Sequence, residues 1–98
     1  MTVVIALLKA KPDCADEVEQ RLRDVQRRTR DEPGALEYAV HRRDGGGFLV
    51  YERYVDQAAC DAHFAAPYVT EFLNEVGRWL EEDPRVEFGH VLVSFQPA

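Results

Sequence analysis

Hydrophobic and polar positions change their spacing several times along the chain, and each change predicts a new element of secondary structure. Residues 3–8 are continuously apolar, which is typical of a strand covered on both faces. Pro12 and Asp13 then predict the start of a helix with Asp13 as its cap. Its apolar stripe, at spacings of three and four, consists of Ala15, Val18, Leu22 and Val25. Its outer face pairs Glu17 with Arg21, Glu19 with Arg23, and Asp24 with Arg28.

The second half of the chain predicts three more strands and two more helical segments. The turn Glu32-Pro33-Gly34 ends the first helix, because glycine and proline both interrupt helical geometry. The elements predicted after it are strands at 36–42, 48–55 and 86–95, a glycine-rich hairpin loop at 44–47, a short helix capped by Asp56 through about residue 65, and a second helical segment from Pro67 to about Glu81.

The order βαββαβ predicts an α+β protein with the ferredoxin-like fold, in a single domain over residues 1–98. In such an antiparallel sheet the first and third strands are central. The third strand is apolar on both sides, yet two helices cover only one face of a four-stranded sheet. A second copy of the same sheet would cover the other face. We therefore expect a two-fold homodimer with its sheets face to face.

Composition and charge exclude several classes of partner. The net charge is −6 at pH 7 and the isoelectric point is near 5.0, whereas nucleic acids and anionic membranes both attract basic surfaces. The apolar run at 3–8 is too short for a signal or a membrane span, which predicts a cytoplasmic protein. Cys14 and Cys60 fit reduced thiols in that compartment. Cys60 and His63 alone do not make a metal site, so no metal is expected.

The candidate chemistry lies in residues 48–69, where a strand carrying a carboxylate is followed by a helix carrying a lone imidazole. His63 is the candidate catalytic base, because an unperturbed histidine is neutral and receptive near physiological pH. Glu52 is the candidate partner that holds the imidazole tautomer. The predicted substrate-binding side chains are Tyr38, Phe48, Tyr54, Phe72 and Trp79, with Tyr68 as a further donor. The alternative is that Glu52 and His63 form a structural pair and that the aromatic residues are core.

Several motifs, in this order, resemble the antibiotic biosynthesis monooxygenase family of dimeric α/β barrels. They are Glu32-Pro33-Gly34, Tyr38, Phe48-x-x-x-Glu52-x-Tyr54 and Ala59-x-x-x-His63-x-x-x-Pro67. The resemblance implies a cofactor-independent oxygenase that converts a small quinol or phenolic polyketide-like substrate to a quinone with O2. Heme-degrading members resemble one another in an Asn on the first strand, and residues 3–8 of this chain contain none. Ala66 and Tyr68 stand where many relatives have Ser or Thr and a second His.

Three functional hypotheses follow. The first is a cofactor-free monooxygenase acting on a small quinol or polyketide-like phenol. The second is a non-redox isomerase or cyclase that uses the same base on a small metabolite. The third is a dimeric module that binds a small ligand without catalysis. The aromatic residues favour the first hypothesis, while fold and family alone do not specify the substrate.

Overall fold

A computed structural model describes residues 1–96 of this chain, so the last two positions of the predicted domain, 97 and 98, lie outside the described residues. Its main elements are β1 (Thr2–Lys9), α1 (Ala15–Thr29), β2 (Ala35–Arg42), β3 (Gly47–Tyr54), α2 (Gln57–Ala65), α3 (Pro67–Glu75) and β4 (Arg85–His90). The strands form one antiparallel sheet in the order β2-β3-β1-β4. The predicted ferredoxin-like α+β fold, with the first and third strands central, is confirmed.

The helices cover one face of the sheet and bury the apolar stripe of each element. Side chains alternate along β1, so that Val4 and Leu8 point toward the helices while Ile5 points away. In α1 the predicted stripe is confirmed, since Val18, Leu22 and Val25 are buried and Ala15 is half-buried. The three acid–base pairs predicted on its outer face are also present, with N···O distances of 3.4, 3.0 and 3.4 Å.

The start of α1 differs from the sequence prediction. The helix begins at Ala15 with Cys14 as its N-cap residue, and no side chain caps it. The backbone N–H of Cys14 bonds Lys11 O at 2.9 Å, so residues 11–14 form a turn that places Asp13 outside the helix. Asp56, in contrast, caps α2 as predicted, because its Oδ1 accepts the N–H of Ala59 at 2.8 Å.

Two predicted boundaries at the C-terminal end are also corrected. The helical segment from Pro67 becomes a 3₁₀ turn at Val76–Trp79 and does not reach Glu81. The last strand, β4, pairs with β1 in the sheet and ends at His90. His90 pairs with Thr2, which is the first residue of β1. The backbone N–H of Val91 still bonds Met1 O at 2.9 Å, but within residues 1–96 no strand lies beside residues 92–95, which do not continue the ladder.

The face of the sheet turned away from the helices is apolar at its centre. Ile5 and Leu7 of β1 lie opposite Tyr51 and Leu49 of β3 on this open face. Ile5 is 41% exposed although it occupies a central strand. The open face therefore retains apolar surface that the chain itself does not bury. Among the described residues, no helix is both long and apolar enough to cross a membrane.

Candidate active site

His63 is buried beneath α2, on the side of the helix that faces the sheet, and is only 1% exposed. The Asp56 cap sets the start of α2, which places residue 63 about two turns later. The imidazole lies among aromatic rings on several elements: the ring of Tyr54 is 5.3 Å away between centroids, and Phe64 meets it edge-on at 5.1 Å. Because this imidazole is removed from water, each of its two nitrogens needs a polar partner within the protein.

One imidazole nitrogen is held by Glu32, a carboxylate in the turn between α1 and β2. The distance from His63 Nδ1 to Glu32 Oε2 is 2.9 Å, that of a good hydrogen bond. A carboxylate accepts, so Nδ1 carries the proton and donates it. In the neutral ring Nε2 then has the free lone pair. Glu32 thus selects the tautomer in which Nε2 can act as a base.

The second carboxylate, Glu52, lies on the other side of the ring. Its Oε1 is 3.4 Å from His63 Nε2, which is longer than a good N–H···O bond, and it accepts the hydroxyl of Tyr54 at 2.6 Å. His63 and Glu52 are neighbours, as the sequence predicted. The hydrogen bond that orients the ring, however, comes from Glu32 instead of Glu52.

Glu32 is itself held in place by a small polar network. The Tyr68 hydroxyl donates to the same Oε2 that His63 uses, and Thr29 Oγ1 lies 3.2 Å from that hydroxyl. Thr29 Oγ1 in turn donates to the carbonyl of Val25 at 2.7 Å. The guanidinium of Arg28 lies 5.8 Å from the Tyr68 ring centroid. Tyr68 is therefore a partner of the orienting carboxylate and does not line the cavity that contains His63; its predicted role as a donor to substrate stays a prediction.

Close packing of the Glu32 turn against α2 brings this carboxylate to the imidazole. A Cβ built on Gly34 would stand 2.3 Å from the Ala59 side chain, so only glycine permits this approach. Ala59 lies one helical turn before His63, on the same side of α2. The turn Glu32-Pro33-Gly34 and the motif Ala59-x-x-x-His63 are thus two sides of one contact. Sequence analysis treated Glu32 only as part of a turn and did not identify it as a site residue.

Burial shifts the pKa values of the two groups nearest the cavity in opposite directions. Burial lowers the pKa of His63 and outweighs the hydrogen bond to Glu32, which acts to raise it. Burial raises the pKa of Glu52 to about 7; the negative charge of Glu32 adds to this effect, and the hydroxyl of Tyr54 opposes it. Burial also raises the pKa of Tyr68 to about 12. Burial therefore favours the neutral imidazole, and it brings the titration of Glu52 to near neutral pH.

A small cavity separates His63 and Glu52 from the rest of the core. It lies between the sheet and the helices, has a volume of about 30 Å³, and is walled mostly by aliphatic side chains. A cavity of this size admits molecules about the size of water. Of the predicted substrate-binding residues, Tyr38 and Phe72 line it. Its outer side is formed by Leu73 of α3 together with Pro84 and Val86 at β4.

The other predicted aromatic residues lie at different places. Tyr54 is fully buried and touches the site through Glu52. Phe48 is on the same face of β3 but fully buried in the core, with the Arg42 guanidinium 5.5 Å from its ring centroid. Trp79 packs against that core cluster and is covered by Arg21 at 4.9 Å. Neither Phe48 nor Trp79 borders the cavity that contains His63.

The cysteines and acidic residues do not converge on a metal site within residues 1–96. Cys60 is 1% exposed beneath α2, and burial raises the pKa of its thiol to about 11. Within residues 1–96, no group of three or more His, Cys, Asp or Glu side chains is arranged to hold a metal ion. The residues with polar side chains that line the cavity are His63, Glu52 and Tyr38.

Comparison with known proteins identifies relatives that share this arrangement of elements. The sequence profile described as "Antibiotic biosynthesis monooxygenase" matches residues 1–75, which include Glu32, Glu52 and His63. "Uncharacterized protein sll1783" of Synechocystis sp. is 32% identical over 75 residues, covering 74% of this chain but only 51% of its own length. "Putative monooxygenase Rv0793" of Mycobacterium tuberculosis is 31% identical over 78 residues, covering 79% of this chain and 77% of its own length.

Solved structures give the same result for the fold. The structure of Rv0793 superposes with a TM-score of 0.91 at 27% identity and covers 97% of this chain and 98% of its own. A structure described as a putative antibiotic biosynthesis monooxygenase from Deinococcus radiodurans has a TM-score of 0.91, covering 100% of this chain and 99% of its own. Its identity is 24%, so that similarity concerns the fold alone.

Proposed function

Because this chain belongs to the antibiotic biosynthesis monooxygenase family, we propose that it is a cofactor-independent monooxygenase that oxidises a small quinol or phenolic polyketide-like substrate with O2. The observation that carries the proposal is the histidine with one nitrogen held by Glu32 and the other beside Glu52, at a largely apolar cavity that both His63 and Glu52 line. A fixed neutral imidazole in such a setting is the group required to deprotonate a phenol.

The proposed reaction begins with proton transfer from the phenol to His63 Nε2. The resulting phenolate is electron-rich and passes one electron to O2, and the two radicals join to form a bond between O2 and a ring carbon that carries hydrogen. The O–O bond then breaks as that carbon loses its proton. One oxygen atom becomes the new carbonyl and the other leaves as water, so the substrate itself supplies every electron. The apolar walls keep bulk water from the reactive intermediates.

The size of the cavity limits how a substrate can bind. A volume of about 30 Å³ accommodates a molecule the size of O2 or water but not an aromatic ring. Leu73 of α3 is 40% exposed and lines the cavity, as do Pro84 and Val86 at β4. In this proposal the substrate enters between α3 and β4 by displacing Leu73 and Phe72, and its hydroxyl reaches His63 Nε2.

An isomerase or cyclase is the second candidate function. It is favoured by one specific observation, a buried carboxyl group beside the imidazole, because an acid and a base in one cavity can move a proton between two carbons of a substrate. Binding of a small ligand without chemistry is the third candidate. The same cavity serves all three, so the reaction must be distinguished by assay.

Oxygen dependence is the experiment that separates these functions. A panel of hydroquinones and phenolic polyketides is incubated with the protein while oxygen uptake and quinone absorbance are recorded. The monooxygenase consumes O2 with chelator present and without added flavin or heme. An isomerase turns over equally well under nitrogen. A panel that includes the true substrate and yields binding without turnover under either gas would overturn both catalytic proposals.

A homodimer is part of the proposal, with the open face of the sheet as its interface. Beyond β4, Leu92, Val93 and Phe95 are 95%, 87% and 90% exposed, an unusual concentration of apolar surface on a short segment. A partner sheet packed face to face would cover Ile5 and give this segment a surface to contact. Such an interface should bury more than roughly 1,000 Å² in total. Sedimentation at micromolar concentration tests it, and a stable monomer would contradict it.

A further inference from the structure

The carboxyl group of Glu52 occupies a position for which its surroundings offer no positive charge. It is 3% exposed and lies opposite Val4 of β1 and Tyr38 of β2 in the sheet. The titratable groups around it are His63 and Cys60 of α2, Tyr38 of β2, Tyr54 of its own strand, and Glu32 in the turn before β2. Among residues 1–96, no arginine or lysine forms an ion pair with Glu52.

The hydrogen bonding of His63 also disfavours a negative charge on Glu52. Glu32 takes the Nδ1 proton, so the neutral ring presents a lone pair at Nε2, only 3.4 Å from Glu52 Oε1. A carboxylate facing a lone pair gains no hydrogen bond from it, and a second carboxylate on the same imidazole adds repulsion. Within the described part of the chain, the side-chain donor to Glu52 is the Tyr54 hydroxyl, which bonds Oε1. A protonated carboxyl group resolves these conflicts.

We propose that Glu52 is the proton donor of this site: it holds a proton in the resting protein and delivers it to the oxygen that forms on the substrate. This inference rests on the proposed monooxygenase function and assigns the acid that the reaction requires in addition to its base. With Oε1 engaged by Tyr54, the proton resides on Oε2. The raised pKa of Glu52, about 7, is consistent with a carboxyl group that gives up and regains a proton under physiological conditions.

With His63 as the base and Glu52 as the acid, every proton that moves in the reaction has a donor and an acceptor. His63 takes the phenol proton, and O2 adds to the ring carbon as a peroxide anion. Glu52 protonates the distal peroxide oxygen to give a hydroperoxide. Loss of the C–H proton to the Glu52 carboxylate supplies the electron pair of the new C=O bond and breaks the O–O bond. The departing hydroxide takes the proton held by His63 and leaves as water, so both residues return to their starting states.

The first test needs no substrate and therefore does not depend on the proposed reaction. Infrared difference spectra of the parent and of Glu52→Gln are recorded from about pH 5 to about pH 9, a range that spans the titration of a carboxyl group with a raised pKa. The parent should show the C=O stretch of one buried protonated carboxyl group at the acid end. That band should vanish as pH rises and be absent in Glu52→Gln. A parent without the band at the acid end would overturn the assignment.

The second test separates an acid from an orienting group. Glu52→Gln keeps the shape and an acceptor for Tyr54 but cannot donate a proton to peroxide. Under nitrogen, the variant should still convert bound phenol to its anion, seen as the phenolate absorbance. In air its quinone formation should fall by roughly tenfold or more, the scale for losing a general acid. Loss of the phenolate signal would instead make Glu52 a group that orients His63, and full turnover would make it structural; either result rejects the proposal.

Discussion

Two carboxylates flank one imidazole in this protein, and they differ in burial and in hydrogen-bond partners. Glu32 lies in a turn, its side chain 19% exposed, and accepts hydrogen bonds from His63 and Tyr68. Glu52 lies in the middle of the sheet, its side chain 4% exposed, and accepts one hydrogen bond, from Tyr54. Glu32 meets the nitrogen that carries hydrogen, and Glu52 lies beside the other nitrogen.

The comparison shows that setting, more than residue type, determines what each carboxyl group can do. Two hydrogen bonds, from His63 and Tyr68, fix the position of the Glu32 carboxylate, which suits a group that orients the ring. Burial next to a second negative charge favours the neutral form of Glu52, which suits a group that supplies a proton.

Removing the imidazole takes away the group that both carboxylates flank. His63→Ala should lower the rate of quinol oxidation by roughly a hundredfold or more, because the general base is lost. His90→Ala is the matched control, since His90 is an exposed histidine on β4. Initial rates of oxygen uptake and thermal unfolding measure the two variants. A His63→Ala protein that oxidises quinols as fast as the parent shows that His63 is structural.

Pushing the Glu32 turn away from α2 should disturb the hydrogen bond between Glu32 and His63 and leave Glu52 in place. Gly34→Ala places a methyl group in contact with Ala59 and should destabilise the fold by about 1–3 kcal/mol, the usual cost of overpacking. Gly77→Ala is the control, because no atom lies within 4 Å of a Cβ at that position. Denaturant unfolding compares the pair. Equal stability of both variants would mean that the turn adapts freely and does not fix Glu32.

Replacing the orienting carboxylate should allow both tautomers of the neutral His63 ring to be populated. In Glu32→Gln the amide can donate as well as accept, so part of the population would carry hydrogen on Nε2 and lose its base. We expect a rate reduction of roughly tenfold with the fold retained. The exposed Glu37→Gln, on β2, serves as the control. The tautomer is read directly from the imidazole nitrogen shifts by NMR; an unchanged tautomer would contradict the role given to Glu32.

Removing the donor to Glu52 should produce the smallest effect, a shift in pH dependence. The Tyr54 hydroxyl lowers the pKa of Glu52, so Tyr54→Phe should raise that pKa above about 7. A proton needed for turnover would then be retained to higher pH, and the alkaline limb of the rate profile should move upward by about half a pH unit or more. A limb that moves downward, or stays in place in a folded variant, contradicts the proton-donor role.

Local sequence signals predicted the elements of this fold well where the determining contacts are short-range. Asp56 caps α2 as expected because the bond to the Ala59 N–H spans three residues. Asp13 failed as a cap because a turn from Lys11 to Cys14 intervenes. The end of β4 was misjudged for a different reason. Residues 91–95 have strand-like composition, but the length of the strand is set by its neighbour β1, a contact some ninety residues away in sequence.

Backbone periodicity was enough to predict the order of the elements and the two central strands, and to place Glu52, Tyr54 and His63 at inward-facing positions. The tertiary structure alone decided that Glu32 holds the imidazole, because 31 positions separate it from His63 and only the contact of Gly34 with Ala59 closes the gap. It also placed Tyr38 at the cavity and Phe48 away from it. Periodicity gives the direction of a side chain, whereas packing between distant segments decides which atoms meet.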